Sequence, residues 1–310
     1  MPDRLLIYHS DSKLYKDILS KKLPSLDIHS AEIPQEALDV MEGVDILFSW
    51  KISEDLLRKA RSLKWFFSTA AGNENLVKNP SFPESAVLTK TTIYGEMMAE
   101  YVFAYLLYFI RDLSKYFEDQ RRKVWKQARP GRLRGKTMGI LGLGSVGKVI
   151  ARCGKQFGMN ILGVKRTPGP MEPVDQVMGP EDLVKMMPLV DTLVVALPLT
   201  PETFHLVGEK ELGLMKEGAV LFNIGRGKTI DEKALLNVLK AKRIKAVLDV
   251  FEDEPLPMES KLWSLENVII TPPVSGINIP EEICEEFVRN YERWVKGEPL
   301  IGLVDRMKGY

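Results

Sequence analysis

The stretch TMGILGLGSVGKVIARCGKQFGMNILGVKR, residues 137–166, decides the fold class. It reads as strand, tight glycine turn, helix and second strand. An apolar run over 137–141 meets Gly142, and Gly142, Gly144 and Gly147 occupy the glycine positions of G-x-G-x-x-G. Val146, Val149, Ile150, Cys153 and Phe157 follow at helical spacing and predict one apolar helix face. Gly158 stands where a C-terminal glycine would stop that helix, and 160–164 is the second strand. The first glycine permits the turn, the second lets a pyrophosphate approach the backbone, and the third lets helix and strand pack closely. The helix start, at Ser145 and Val146, offers unpaired N–H groups and the positive end of the helix dipole to phosphates. With a strand before it, a helix after it and a strand beyond, the motif predicts a dinucleotide site rather than a plain structural turn.

A chain of 310 residues has room for two domains. Hydrophobic content of 45% and charged content of 27% are those of an ordinary soluble protein. The net charge of +1 predicts no general attraction to nucleic acid or to an anionic membrane. Two cysteines, Cys153 and Cys284, form no disulfide framework and fit a reducing cytoplasm, with Cys153 expected in the core. The start, MPDRLLIYHSDSK, lacks the apolar segment of a signal peptide, and the longest apolar run, 101–110, is too short to cross a bilayer.

Residues 1–95 alternate strands (4–8, 26–30, 45–48, 64–68, 86–89) with amphipathic helices, the signature of a mostly parallel sheet. Ser53 is placed to cap a helix whose first turn holds Glu54 and Asp55. Ligands of such sheets lie at the loops after strand ends, here 49–51 and 69–73. Residues 96–125 read as one long helix, apolar nearly all round in its first half, which predicts burial between domains or against another subunit. Its second half carries Arg111, Lys115, Arg121, Arg122, Lys123 and Lys126, read as a solvated face rather than a nucleic-acid surface. Beyond the glycine turn, helices at 181–187, 209–215 and 231–242 alternate with strands at 191–197, 219–224, 244–250 and 268–271. Six strands are thus counted from residue 137, the number of a doubly wound dinucleotide domain. A last helix spans 281–295.

Several segments together resemble the D-isomer-specific 2-hydroxyacid dehydrogenases. They are GLGSVG at 142–147, LPLTPET at 197–203, NIGRG at 223–227, LDVFEDEPLP at 248–257, LW at 262–263 and VIITPPVSG at 268–276. Trp125, LRGKTMGILG and the terminal GEPLIGLVD are most similar to the glyoxylate/hydroxypyruvate reductase-type members. The resemblance implies an α/β protein of two doubly wound parallel-sheet domains, Rossmann-like and flavodoxin-like, with the active site in a cleft between them. The substrate domain would be 1–97 plus 283–310, and the dinucleotide domain 98–282. It also implies a homodimer formed through the nucleotide domain and its long first helix.

Reduction of a 2-keto acid requires a held carboxylate, a polarised carbonyl and a proton for the developing alkoxide. The resemblance assigns the first two to Arg226, whose planar fork suits a carboxylate beside a carbonyl. It assigns a supporting carboxylate to Glu254, whose usual task is to raise the pKa of a histidine. That histidine is absent: Pro273 stands in its place and carries no proton. Candidates to replace it are Glu254 first, then Lys51, Tyr94 and His9, while His205 and His29 read as structural or solvent-facing. Ala70, Ala71 and Gly72 match the family's substrate-carboxylate loop, and Trp50 and Lys51 end a strand at the same edge.

About 20 residues after the glycines, an NAD site places an acid on the ribose 2′-hydroxyl. Here the strand end carries Lys165, Arg166 and Thr167, which suit a 2′-phosphate, so NADP(H) is expected ahead of NAD(H). By resemblance, Asp249 would meet the nicotinamide amide and Leu197, Pro198 and Ile224 would line the ring, with Thr203 and Arg226 also at the cofactor. The rival reading is a nucleotide-binding sensor or scaffold with impaired catalysis, favoured by Pro273. A methyltransferase reading fails on Lys165, which has the wrong charge after the second strand.

Overall fold

The computed structural model describes residues 3–70, 72–77 and 79–306. The chain divides into two compact units, Met1–Ile93 with Asn278–Tyr310, and Tyr94–Ile277.

The first unit runs β1 (Arg4–Tyr8), α1 (Ser12–Lys22), β2 (Asp27–Ala31), α2 (Pro34–Val40), β3 (Ile46–Ser49), α3 (Glu54–Lys59), β4 (Trp65–Ser68), α4 (Glu74–Val77) and β5 (Val87–Lys90). The strands form one parallel sheet in the order β2-β1-β3-β4-β5. Strand periodicity of two divides the apolar residues between its faces. Leu6, Leu47, Phe66 and Leu88 pack with Ala37, Leu56 and Leu57 on one side. Leu5, Ile7, Ile46, Phe48, Trp65 and Phe67 pack with Tyr15 and Leu19 on the other, joined there by Ile283 and Phe287 from the end of the chain. Ser53 caps α3 as expected, its side chain accepting from the Leu56 N–H. Buried Glu286 is satisfied by the Thr91 hydroxyl and by the Thr92 N–H and hydroxyl, so its charge is held by three donors rather than left bare.

The second unit opens with α5 (Tyr94–Ile110) and α6 (Leu113–Arg121), where one continuous helix was expected. The break is at Asp112, which takes a left-handed backbone (φ 55°) that an α-helix cannot continue. Neither glycine nor proline marks that point, so the apolar periodicity ran through it. One face of α5 is buried, including Met98, Val102, Phe103 and Leu106, whereas α6 buries no residue. Trp125 beyond it is fully exposed.

Then follow β6 (Thr137–Leu141), α7 (Ser145–Gln156), β7 (Asn160–Val164), β8 (Gln176–Met178), α8 (Leu183–Met186), β9 (Thr192–Val195), α9 (Glu209–Leu214), β10 (Val220–Asn223), α10 (Glu232–Lys240), β11 (Lys245–Leu248) and β12 (Val268–Ile270). The parallel sheet has seven strands in the order β12-β11-β10-β9-β6-β7-β8. The unexpected seventh is β8, three residues long and preceded by Pro168, Pro170 and Pro173, which made that segment read as loop. Helix α7 packs closely on its neighbours: a Cβ on Gly154 would lie 2.6 Å from Ile161, and one on Gly95 of α5 would lie 2.7 Å from Val149. Its buried residues are Gly147, Ile150, Ala151 and Gly154. Cys153 is therefore only half-buried rather than core, and Phe157 is exposed, its ring stacked on Phe103. The chain ends in α11 (Pro280–Lys296), whose Phe287 stacks on Trp65 of the first unit at 5.2 Å. Among the described residues no helix is long and apolar enough to cross a membrane.

Candidate functional site

In the second unit the sheet order reverses between β6 and β9, and ligands of such sheets bind outside the strand ends at that reversal. The glycine turn leaves β6 there. Gly142 has φ +98°, and a Cβ on it would lie 2.6 Å from the Ala196 carbonyl oxygen. A Cβ on Gly147 would lie 2.0 Å from the Gly142 carbonyl oxygen, so helix and turn meet without a side chain between them. Gly144 differs: a Cβ there would meet nothing within 4 Å. It caps α7 without a side-chain hydrogen bond, and the first N–H groups of that helix, at Ser145 and Val146, have no acceptor within the helix. An open backbone face at a helix start fits a pyrophosphate, so the residues present suit a dinucleotide.

Lys165 follows β7 directly, and the Gly142 N–H donates to the Val164 carbonyl one residue earlier. Arg166 and Thr167 are exposed, with an Arg166 nitrogen 3.5 Å from a Glu202 oxygen. Two cations therefore stand beside the glycine turn. In the loop after β9, the Thr203 hydroxyl donates to the Pro198 carbonyl and accepts from the Thr200 N–H, so it shapes its own turn. Leu197 lies against the next loop: a Cβ on Gly225 would be 2.6 Å from the Leu197 carbonyl oxygen.

Arg226 leaves β10 under close restraint. Its carbonyl accepts from the Asn223 amide at 3.2 Å, the Thr229 hydroxyl at 2.6 Å and the Thr229 N–H at 3.1 Å. Buried Asn223 also accepts from the Gly225 N–H, so one amide brackets the residue on both sides. Gly227 lies against the loop after β11, where a Cβ would come within 1.8 Å of the Phe251 carbonyl oxygen. The half-buried guanidinium donates to the Gly225 carbonyl at 2.8 Å. Two flanking glycines and one asparagine thus set its backbone; the NIGRG motif contains all three, but their purpose emerges only from the approach of Leu197 and Phe251.

Asp249, buried at the end of β11, binds the 271–276 turn. It accepts from the Thr271 hydroxyl at 2.7 Å and from the Val274 and Ser275 N–H groups at 2.9 and 3.0 Å. The Tyr101 hydroxyl lies 2.6 Å from the Thr271 hydroxyl, and burial pushes the Tyr101 phenol well above its usual range. Pro273 sits exposed on this turn. Tyr94 lies below it, 3.2 Å from where a Cβ on Gly276 would stand. Glu254 is exposed, and its carboxylate accepts from the Phe251 N–H at 3.0 Å. Nearby, Glu252 accepts from the Glu232 N–H and lies 2.8 Å from the His205 ring. Thr271, Tyr101 and this His205–Glu252 pair were not assigned to the site from sequence, because no motif links residues so far apart in the chain.

In the first unit, β3 and β4 are neighbours, and the Thr69 N–H donates to the Ser49 carbonyl. This brings Trp50 and Lys51 beside Ala70 and Gly72, while Ala71 lies outside the described residues. The Lys51 ammonium sits 4.5 Å from the Trp50 ring centre, and Ser49 donates to the Lys51 carbonyl. The Ala70 N–H donates to the Ser68 hydroxyl and its carbonyl accepts from Asn73. His9 is buried, which lowers its pKa against the opposing pull of Asp11, and its Nδ1 accepts from the Asp11 N–H. Among the described residues no cluster of side chains suits a metal ion.

Comparison with known proteins agrees with this geometry. Residues 103–275 match the family model described as "D-isomer specific 2-hydroxyacid dehydrogenase, NAD binding domain". The glyoxylate/hydroxypyruvate reductase A of Yersinia enterocolitica is 29% identical over 99% of each chain. The crystal structure of a D-isomer specific 2-hydroxyacid dehydrogenase family protein from Aeromonas salmonicida superposes with a TM-score of 0.88 at 40% identity, covering 99% of this chain and 100% of that one. That of a D-isomer specific 2-hydroxyacid dehydrogenase from Xanthobacter autotrophicus in complex with NADPH and MES gives 0.90 at 31%, covering all of both.

Proposed function

The chain belongs to the D-isomer specific 2-hydroxyacid dehydrogenase family, and on that premise we propose that it reduces small 2-keto acids with NADPH, glyoxylate and hydroxypyruvate being the substrate type. The observation that carries the reading is the restraint on Arg226, whose carbonyl accepts three hydrogen bonds while glycines on both sides abut neighbouring backbone. Such restraint fixes the point from which the side chain starts, and its bond to the Gly225 carbonyl at 2.8 Å limits how the guanidinium lies, as the binding of a carboxylate with its adjacent carbonyl requires. When bound, the cofactor supplies the hydride. Arg226 holds the carboxylate and withdraws charge from the carbonyl oxygen. Asp249 keeps the 271–276 turn in place. Lys165 and Arg166 receive the 2′-phosphate, a choice supported by the NADPH bound to the Xanthobacter relative. Glu254 serves the proton step through water, since Pro273 has no proton to give. Trp50, Lys51, Ala70 and Gly72 select the substrate. The dinucleotide domain is 98–282 and the substrate domain 1–97 with 283–310.

The protein acts as a homodimer, for which the half-buried Tyr105, Leu107, Tyr108, Phe109 and Ile110 of α5 provide apolar surface. The free thiols Cys153 and Cys284 suit a cytoplasmic setting. A second reading, a cofactor-binding sensor with weak catalysis, is favoured by Pro273 alone. Arg226→Ala is expected to lower kcat/KM for 2-keto acids by about 10²–10³-fold, the usual cost of removing one partner of a charge pair, with NADPH affinity lowered far less. No turnover by the wild type together with turnover by Pro273→His would establish the sensor instead.

A further inference from the structure

We infer that His205 is a positioning residue, which with Glu252 holds the Arg226 loop in register; this rests on the reading of Arg226 as the substrate-carboxylate residue. Three loops leave the carboxyl ends of β9, β10 and β11, and His205 touches all three. It belongs to the first. Its N–H donates to the Lys228 carbonyl of the second at 2.8 Å. Its ring Nε2, itself shielded from solvent and making no aligned hydrogen bond, lies at ion-pair distance, 2.8 Å, from Glu252 Oε1 of the third. Glu252 is tied back to the second loop, since it accepts from the Glu232 N–H at 3.0 Å while its own N–H donates to Glu232 Oε2 at 3.2 Å. The ring also stacks on Phe204 at 4.0 Å, which settles its plane.

The backbone of His205 makes the side chain's role more specific. Its φ is +50°, a left-handed conformation that glycine adopts freely and histidine does not. A histidine held there needs an offsetting contact, and the contact within reach of the shielded Nε2 is Glu252, at ion-pair distance. The consequence reaches Arg226 by a short route. Lys228, which His205 grips, lies in the 3₁₀ turn Gly227–Thr229, and two bonds from Thr229 hold the Arg226 carbonyl. Glu252 follows Phe251, the residue on which Gly227 packs. A loose His205 frees both sides of that turn at once. The glycine turn that would hold the pyrophosphate is on other strands, so any loss of cofactor affinity is expected to be smaller than the loss toward the keto acid.

The test is a cycle of His205→Ala, Glu252→Ala and the double variant, beside His205→Gln, whose amide donor takes the place of Nε2. Each is assayed for kcat and KM with hydroxypyruvate and for NADPH binding by fluorescence. The expectation is a loss of about tenfold in kcat/KM in either alanine variant, carried by the keto acid rather than by NADPH. The double variant should be no worse than either single, because both break one link. His205→Gln should return to within about threefold of the wild type. Losses that multiply in the double variant, a glutamine variant as poor as alanine, or weakened NADPH binding of equal size would overturn the inference. If the wild type shows no turnover, the reading of Arg226 fails, and hydrogen exchange at the Thr229 and Glu252 amides decides the link by itself. Protection lost in His205→Ala and regained in His205→Gln supports it, and unchanged protection refutes it.

Discussion

Substitution of Gly227 by alanine places the sharpest local demand on this structure. The added Cβ would stand 1.8 Å from the Phe251 carbonyl oxygen, 1.9 Å from its carbon and 2.5 Å from the Glu252 nitrogen. All three are backbone atoms, so no side chain can swing aside. Ordinary contact requires a separation near 3.5 Å, and the loops after β10 and β11 must part by the difference, about 1.7 Å. Overpacking of this kind costs about 1–3 kcal/mol of stability. A displacement of about 1 Å at a reacting group costs on the order of 10²-fold in rate, and here Arg226 and the Asp249 turn are moved apart. Gly213, at the end of α9, is the control, since a Cβ there meets nothing within 4 Å. We expect Gly227→Ala to lower Tm by several degrees and kcat/KM for a 2-keto acid by about 10²-fold, with Gly213→Ala neutral or slightly stabilising. Thermal melts and steady-state kinetics measure both. A Gly227→Ala protein with the wild-type Tm and kcat/KM within about twofold would show that the two loops are not in the contact described.

Replacing Lys165 by aspartate should weaken NADPH binding by about 10- to 100-fold and favour NADH, because a charge-assisted hydrogen bond is worth about 1.5–3 kcal/mol; cofactor titrations that leave the ratio of the two affinities unchanged would contradict the assignment. Burial, with Glu252 and Asp253 adding repulsion against one backbone hydrogen bond, raises the Glu232 carboxyl above its ordinary 4.5. A raised carboxyl binds its proton more tightly when folded, so its contribution is complete below pH 4.5 and is lost as pH rises through the higher folded value. Glu232→Gln should therefore gain Tm relative to the wild type as pH rises from below 4.5 to neutrality; an equal Tm difference at both ends would refute the direction of the shift.

Much of the fold was legible because its signals are local. The glycines at 142 and 147 encode a left-handed turn and a backbone contact that no other residue tolerates, and both appear in the structure. Strand β8 was not legible: its three residues follow a proline-rich segment, and pairing with β7 supplies what local propensity lacks. The break between α5 and α6 was hidden because Asp112 bends the chain without glycine or proline. At the site, Arg226 and the Lys165–Arg166 pair carry their chemistry in their own side chains and stand out in sequence. Asn223, Gly225 and Gly227 act by what approaches them, and His205 by what lies beside it on another loop. Such roles depend on contacts between strand ends, which the linear pattern does not record.

The central claim is best tested by the wild-type protein with hydroxypyruvate and either cofactor, following cofactor oxidation and resolving the hydroxy-acid product on a chiral column. The account predicts oxidation of NADPH faster than NADH, with the D-isomer as the product. The L-isomer, or no oxidation of either cofactor, would contradict it.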